Sequence, residues 1–228
     1  MSRSLVLLLA LVALAMGGCG GGEGADGRPA EEARPTLVAA LGDSITAGSP
    51  LWDPDAGVRE RIGVALEPES QFEYWAQLEL RGEATFRNCG VFGERTDQIA
   101  ARLERCASGA EVLIVQGGIN DIAQGRPVED AAESLRGMVR SGRERGLRVA
   151  LTDVLPWNNG YPAAKPSIDR LNELITRIAE EEKVPLYEFH DELEDPRRPG
   201  RMRAALTEDG DHPSVAGYRR LGKLIDLP

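Results

Sequence analysis

The chain has 228 residues and a formal net charge of −10. A surface that acidic excludes electrostatic steering toward nucleic acid or anionic lipid headgroups. Two histidines, three cysteines and the lack of any Cys-x-x-Cys or His-Glu-x-x-His pattern leave no metal-ligand cluster and imply no cofactor.

Arg3 precedes an unbroken apolar run over residues 5–15, too short to span a bilayer as a mature helix. Residues 1–18 therefore read as a secretory leader. Gly17-Gly18-Cys19 resembles the bacterial lipoprotein signal, in which the cysteine is lipidated and becomes the new N-terminus. Met16 stands where that signal usually has leucine, and the competing reading is an ordinary cleaved leader with a free Cys19. Residues 20–35 hold five glycines and two prolines without apolar period. The stretch from Cys19 to Pro35 reads as a flexible tether with a reach of roughly 20–24 Å. Export to the cell envelope or periplasm is expected, with the acyl chains rather than charge providing the membrane anchor.

From Thr36 to Pro228 there is no second linker and no internal repeat, so one domain of a size that buries a substantial core is expected. Apolar runs at 37–41, 84–89, 112–115, 147–154 and 184–189 read as strands. Continuous apolarity in the first, third and fourth marks strands covered on both faces. Ile99, Leu103 and Cys106 continue one helical stripe. Leu135, Met138 and Val139 form a second, and Ile168, Leu171, Leu174, Ile175 and Ile178 the clearest. Tyr218, Leu221, Leu224 and Ile225 close the chain, with Pro213 suited to the first helical position. Alternating strands and helices predict an α/β fold with a parallel sheet covered on both sides. In such sheets ligands sit beyond the C-terminal strand ends, so Ser44, Gly93, Asn120 and the loop 157–161 should gather on one edge. Cys89 and Cys106 could pair in an exported protein, but an intact helix would carry Cys106 away from Cys89.

Candidate chemistry lies at those edges. Ser44 in Gly42-Asp43-Ser44 is a candidate nucleophile, which at neutral pH needs an adjacent base. With two histidines in the chain, His212 is the natural base. Asp209, three residues earlier across a Gly-containing turn, can hold the ring's other nitrogen, and Asp211 competes for that role. The backbone N–H groups of Ser44 and Gly93 and the Asn120 amide could receive an oxyanion, with Gly90 competing for the position of Gly93. Asp43 and Asp121 read as structural, and His190 as an exposed loop residue. The loops 49–70, with Trp52, and 157–161, with Trp157 and Tyr161, carry aromatics beside polar groups. These suit a sugar ring, an acyl chain or simple loop packing.

Gly42-Asp43-Ser44, the stretch from Asn88 to Gly93, Gly118-Ile119-Asn120-Asp121 and Asp209-Gly210-Asp211-His212-Pro213 together resemble the four blocks of the SGNH (GDSL) hydrolases, in that family's order. The family's usual leucine after the serine is Ile45 here. The resemblance implies a flavodoxin-like three-layer α/β/α sandwich with a five-stranded parallel sheet. It also implies a Ser44–His212–Asp209 triad and an oxyanion hole of Ser44, Gly93 and Asn120. Esterase, lysophospholipase, thioesterase and carbohydrate deacetylase activities all occur within it. The α/β-hydrolase elbow is excluded, because Thr46 occupies its second glycine position. Two rivals remain: a non-catalytic ligand- or glycan-binding protein on the same fold, and a flavodoxin-like nucleotide binder. Asp43 would place a carboxylate against the phosphate of the latter.

Overall fold

Five parallel strands form one sheet in a computed structural model of the chain, which describes residues 34–48, 57 and 68–228. The leader, Cys19, most of the tether and Trp52 lie outside the described residues, as does most of the 49–70 loop. The strands are β1 (Thr36–Gly42), β2 (Ala84–Gly90), β3 (Val112–Val115), β4 (Arg148–Thr152) and β5 (Leu186–Tyr187). Their order is β2-β1-β3-β4-β5, with every pairing parallel. This is the flavodoxin-like order, and its direction reverses at β1.

Alternate residues of each strand feed opposite layers, as the pleat requires. Ala39, Leu41, Leu113, Val115, Val149 and Leu151 face one core, while Val38, Ala40, Val112, Ile114 and Ala150 face the other. The first layer is built by α3 (Thr96–Ala100), α4 (Leu103–Ala107), α6 (Val128–Glu144) and α7 (Lys165–Glu182). The second uses α1 (Ser44–Ala47), α2 (Phe72–Glu79), α8 (Phe189–Leu193) and α9 (Val215–Leu224). α5 (Ile119–Ala123) caps the end of β3.

Three details depart from the expectations. The single stripe through Ile99, Leu103 and Cys106 is two short helices. Between them Arg102 N–H donates to the Ile99 carbonyl at 3.0 Å, a tighter turn than the α-helical one. The break re-aims Cys106, whose Cα lies 6.0 Å from that of Cys89, and the two are joined in a disulfide. The last strand is shorter than its apolar run because Phe189 begins α8 and buries in the second core. Pro213 precedes the N-cap rather than occupying the first helical position. Ser214 caps α9 by accepting the Gly217 N–H.

Register sets the site. Gly42 is level with Gly90, and Leu41 with both Cys89 and Val115. The loops that leave β1, β2 and β3 therefore start side by side at one sheet edge. Close approach there demands glycine at position 90: a Cβ would lie 2.0 Å from the Ala47 nitrogen. Gly90 thus serves the contact between α1 and β2.

Candidate active site

Asp43 caps the single turn of α1, its Oδ1 accepting the Ile45 N–H at 2.9 Å. That places Ser44 as the first helical residue, 6% exposed. The cap itself is held from the next strand. Gln116 Oε1 accepts the Asp43 N–H at 3.2 Å and the Thr46 hydroxyl at 2.9 Å. Burial pushes the Asp43 carboxyl up to about 6, against the lowering effect of the Ile45 N–H. From below, the Arg102 guanidinium donates to the carbonyls of Gly42 at 3.0 Å and Cys89 at 2.7 Å, and pairs with Glu94. A half-buried, charged donor set of this kind fixes two strand ends against each other.

Across the edge, His212 Nε2 is 3.0 Å from Ser44 Oγ, and His212 Nδ1 is 2.8 Å from Asp209 Oδ2. The second Asp209 oxygen accepts the N–H groups of Asp211 and His212, each at 2.8 Å. Partial burial opposes charge on this carboxylate. The His212 ring and the two N–H donors outweigh it and hold Asp209 below its ordinary range. Between Asp209 and Asp211, the geometry selects Asp209 as the partner of the ring. Asp211 also lines the pocket at Ser44, but its Oδ1 accepts the Trp157 indole N–H at 2.5 Å. The 157–159 loop is tied twice more to the same turn. Asn158 N–H donates to the Gly210 carbonyl at 2.9 Å, and Asn159 Nδ2 to the Asp209 carbonyl at 3.0 Å.

Gly93 and Asn120 line the pocket that opens on Ser44, with Phe92, Ile119, Trp157 and His212. Gly93 has φ +76°, a conformation that suits glycine, and a Cβ there would meet nothing within 4 Å. Gly90, by contrast, faces α1. Asn120 Nδ2 donates to the Glu94 carbonyl at 3.0 Å, which spends one of the two amide hydrogens. Gln124 Nε2 holds the Gly93 carbonyl at 3.0 Å. Asp121 is fully buried, accepting both Thr96 donors at 2.9 Å and the Arg126 guanidinium at 2.5 Å. It ties the β2 and β3 loops together and does not line the pocket at Ser44.

His190 differs from its expected place. It lies in α8, its side chain 12% exposed, and its backbone N–H donates to Asp153 at 2.8 Å. Burial is the main cause that raises the Asp153 carboxyl to about 7. His190, Asp191 and Glu194 bring ligand-type atoms within 4.8 Å of one another, but none of the three lines the pocket at Ser44.

Three features escaped the sequence reading. Gln116 is a buried polar residue at the end of a wholly apolar strand, a signal that was available. The indole bond that ties Trp157 to Asp211 joins residues too distant in sequence to suggest it. The Phe92 ring lies over the His212 ring, centroids 6.1 Å apart and planes at 21°.

Residues 40–220 match the GDSL-like lipase/acylhydrolase family. The chain belongs to that family. No curated protein matches the sequence. Among solved structures, a lipolytic G-D-S-L protein from Desulfitobacterium hafniense is 19% identical. The match covers 83% of this chain and 97% of that one, with a TM-score of 0.67. A member of the same lipolytic family from Veillonella parvula is 18% identical over 83% of this chain and 95% of its own, with a TM-score of 0.66. A mutant acetyl-xylooligosaccharide esterase from Geobacillus is 19% identical over 84% and 93%, with a TM-score of 0.64. At such identities the likeness speaks for the fold, the three-layer α/β/α sandwich of this family. Family and fold together make the chain a hydrolase of the GDSL-like type.

Proposed function

We propose that the chain hydrolyses carboxylic esters through an acyl-enzyme on Ser44. The observation that carries this reading is the continuous path Ser44 Oγ to His212 Nε2, and His212 Nδ1 to Asp209 Oδ2, at 3.0 and 2.8 Å. Both lie within the reach that proton transfer needs.

In this reading His212 Nε2 takes the Ser44 proton as Oγ attacks the ester carbonyl carbon. Asp209 stabilises the imidazolium and holds its tautomer. The oxyanion meets the Ser44 and Gly93 N–H groups and the second Asn120 amide hydrogen. Collapse expels the alcohol, which takes the proton from His212. Water then attacks the acyl-enzyme with His212 again as base, releasing the acid and restoring Ser44. No cofactor enters these steps.

The test is hydrolysis of p-nitrophenyl acetate and butyrate by residues 34–228, with fluorophosphonate labelling of the same protein. Labelling that maps to Ser44, and turnover lost in Ser44→Ala, is expected. A folded protein that neither turns over nor labels would instead be the ligand-binding protein on the same fold.

Export and anchoring through Cys19 are part of the proposal and rest on Arg3, the apolar run 5–15 and Gly17-Gly18-Cys19. Among the described residues no helix is long and apolar enough to cross a membrane. The full chain expressed in a bacterium should incorporate labelled palmitate, and Cys19→Ala should not. Equal labelling of both would remove the anchor from the proposal.

A further inference from the structure

An oxyanion hole works only if its donors converge on one oxygen, each about 2.7–3.1 Å away. Here two of the donors leave different strands. Ser44 lies two residues beyond the end of β1, and Gly93 three residues beyond the end of β2. The ladder between these strands stops at Gly42 and Gly90. The Val91 N–H adds one last bond, to the Gly42 carbonyl at 3.0 Å. Past Val91 the chain that carries Gly93 leaves the sheet, so the ladder alone does not aim its N–H.

Arg102, between α3 and α4, spans that gap. Its Nη2 donates to the Gly42 carbonyl at 3.0 Å and its Nη1 to the Cys89 carbonyl at 2.7 Å. Its Nε donates to Glu94 Oε2 at 2.8 Å, and Nη2 pairs with the same oxygen at 2.6 Å. Glu94 follows Gly93 directly, and its own carbonyl accepts Asn120 Nδ2 at 3.0 Å. One guanidinium thus joins the strand end behind Ser44, the strand end behind Gly93 and the loop residue that Asn120 holds.

We propose that Arg102 is the positioning residue of the oxyanion hole: through the Gly42 and Cys89 carbonyls and the Glu94 carboxylate it sets the Gly93 N–H against the Ser44 N–H. This inference rests on the Ser44 esterase reading and adds to it a residue that does not line the pocket.

Geometry rather than charge carries the role. Arg102 and Glu94 have opposite signs and are in contact, so the pair brings no net charge toward the oxyanion. Their side chains are only 15% and 19% exposed, which limits the screening that weakens surface pairs. A guanidinium presents its donors in one rigid plane. Acceptors on three separate stretches of chain are therefore fixed relative to one another, which the point charge of a lysine cannot do. The backbone of Arg102 is itself held to β2, because its carbonyl accepts the Cys106 N–H at 3.0 Å and Cys106 is disulfide-bonded to Cys89.

The test measures kcat and KM on p-nitrophenyl acetate for the full chain and for Arg102→Ala, Arg102→Lys and Glu94→Ala, each with and without Asn120→Ala. Arg102→Ala should lower kcat about 10–100-fold, the scale of loss that a misplacement of about 1 Å causes from outside the chemistry. KM should stay within about three-fold. In the Asn120→Ala background the same change should cost less than about three-fold, because both residues act on one loop. Arg102→Lys should remain within about three-fold of Arg102→Ala. Glu94→Ala cuts the contact from the loop side and should lose about 5–10-fold in kcat with the same pattern. It decides the question if Arg102→Ala does not fold. A folded Arg102→Ala, or in its place Glu94→Ala, within about two-fold of the wild type would overturn the proposal. So would an equal loss with and without Asn120, the mark of general loosening, or full recovery by lysine, the mark of charge alone. No turnover and no fluorophosphonate labelling of Ser44 in the wild type would instead sink the esterase reading on which the proposal stands.

Discussion

Replacing His212 by alanine is expected to lower kcat on a p-nitrophenyl ester by about 10⁵–10⁶-fold, whereas His190→Ala should stay within about two-fold. The contrast follows from position. His212 touches both Ser44 Oγ and Asp209, while the His190 ring faces Asp191 at 3.3 Å and is absent from the pocket. Without a base the serine hydroxyl keeps its proton, so attack on the carbonyl carries the full cost of an un-ionised nucleophile. A residual rate above that of water should persist, because the oxyanion donors and the pocket remain. Ser44→Ala combined with His212→Ala should cost no more than either alone, since the two act as one unit. His212 lies in a loop and caps no helix, and its backbone bonds to Asp209, Thr207 and Glu208 survive the change to alanine, so the melting temperature should hardly move. Comparable losses in the two histidine variants would refute the assignment of the base.

Much of this was readable in the sequence because it rests on local rules. Strands buried on both faces need continuous apolar runs, so β1 and β3 announce themselves through Leu37–Leu41 and Val112–Val115. Ser44, Gly93 and Asn120 lie in the loops and turns that follow β1, β2 and β3, and parallel topology brings those strand ends together whatever the helices do, while Asp209 and His212 follow no strand. The break after Ile99 was not legible: Leu103 and Cys106 keep the helical period across it. What re-aims the chain is the Arg102 turn, and Arg102 is anchored to carbonyls of β1 and β2 that no local pattern reveals. Its consequence, the Cys89–Cys106 bond, was left open by the sequence for the same reason. The choice between Gly90 and Gly93 was equally non-local. Gly90 is required by the Ala47 backbone pressed against it, and that contact exists only once β1 and β2 are in register. Asp211 competed with Asp209 for the histidine in the sequence because its own partner, Trp157, lies 54 positions away. Such ties between loops carry the fine positioning of the site.

Asn120→Ala should cost about 10²–10³-fold in kcat, the loss of about 3–4 kcal/mol that removing one oxyanion donor causes. KM should change little, because the donor meets a charge that develops only in the transition state. A second route to such a loss exists and must be separated. Asn120 Nδ2 also holds the Glu94 carbonyl, next to Gly93, so alanine would loosen the loop that carries another donor. Gln124 offers the control. Its amide holds the Gly93 carbonyl from the C-cap of the same helix, at the same 3.0 Å, yet it is exposed and does not line the pocket. Gln124→Ala therefore loosens the Gly93 loop and leaves the Asn120 amide in place. If loop tethering were the whole role of Asn120, the two variants would lose similar activity. If the amide receives the oxyanion, Gln124→Ala should lose less than about 10-fold while Asn120→Ala keeps its far larger deficit. Asn120→Asp sharpens the comparison: it keeps the side-chain size but turns a carboxylate toward the developing negative charge. Its rate should therefore fall to or below that of the alanine variant.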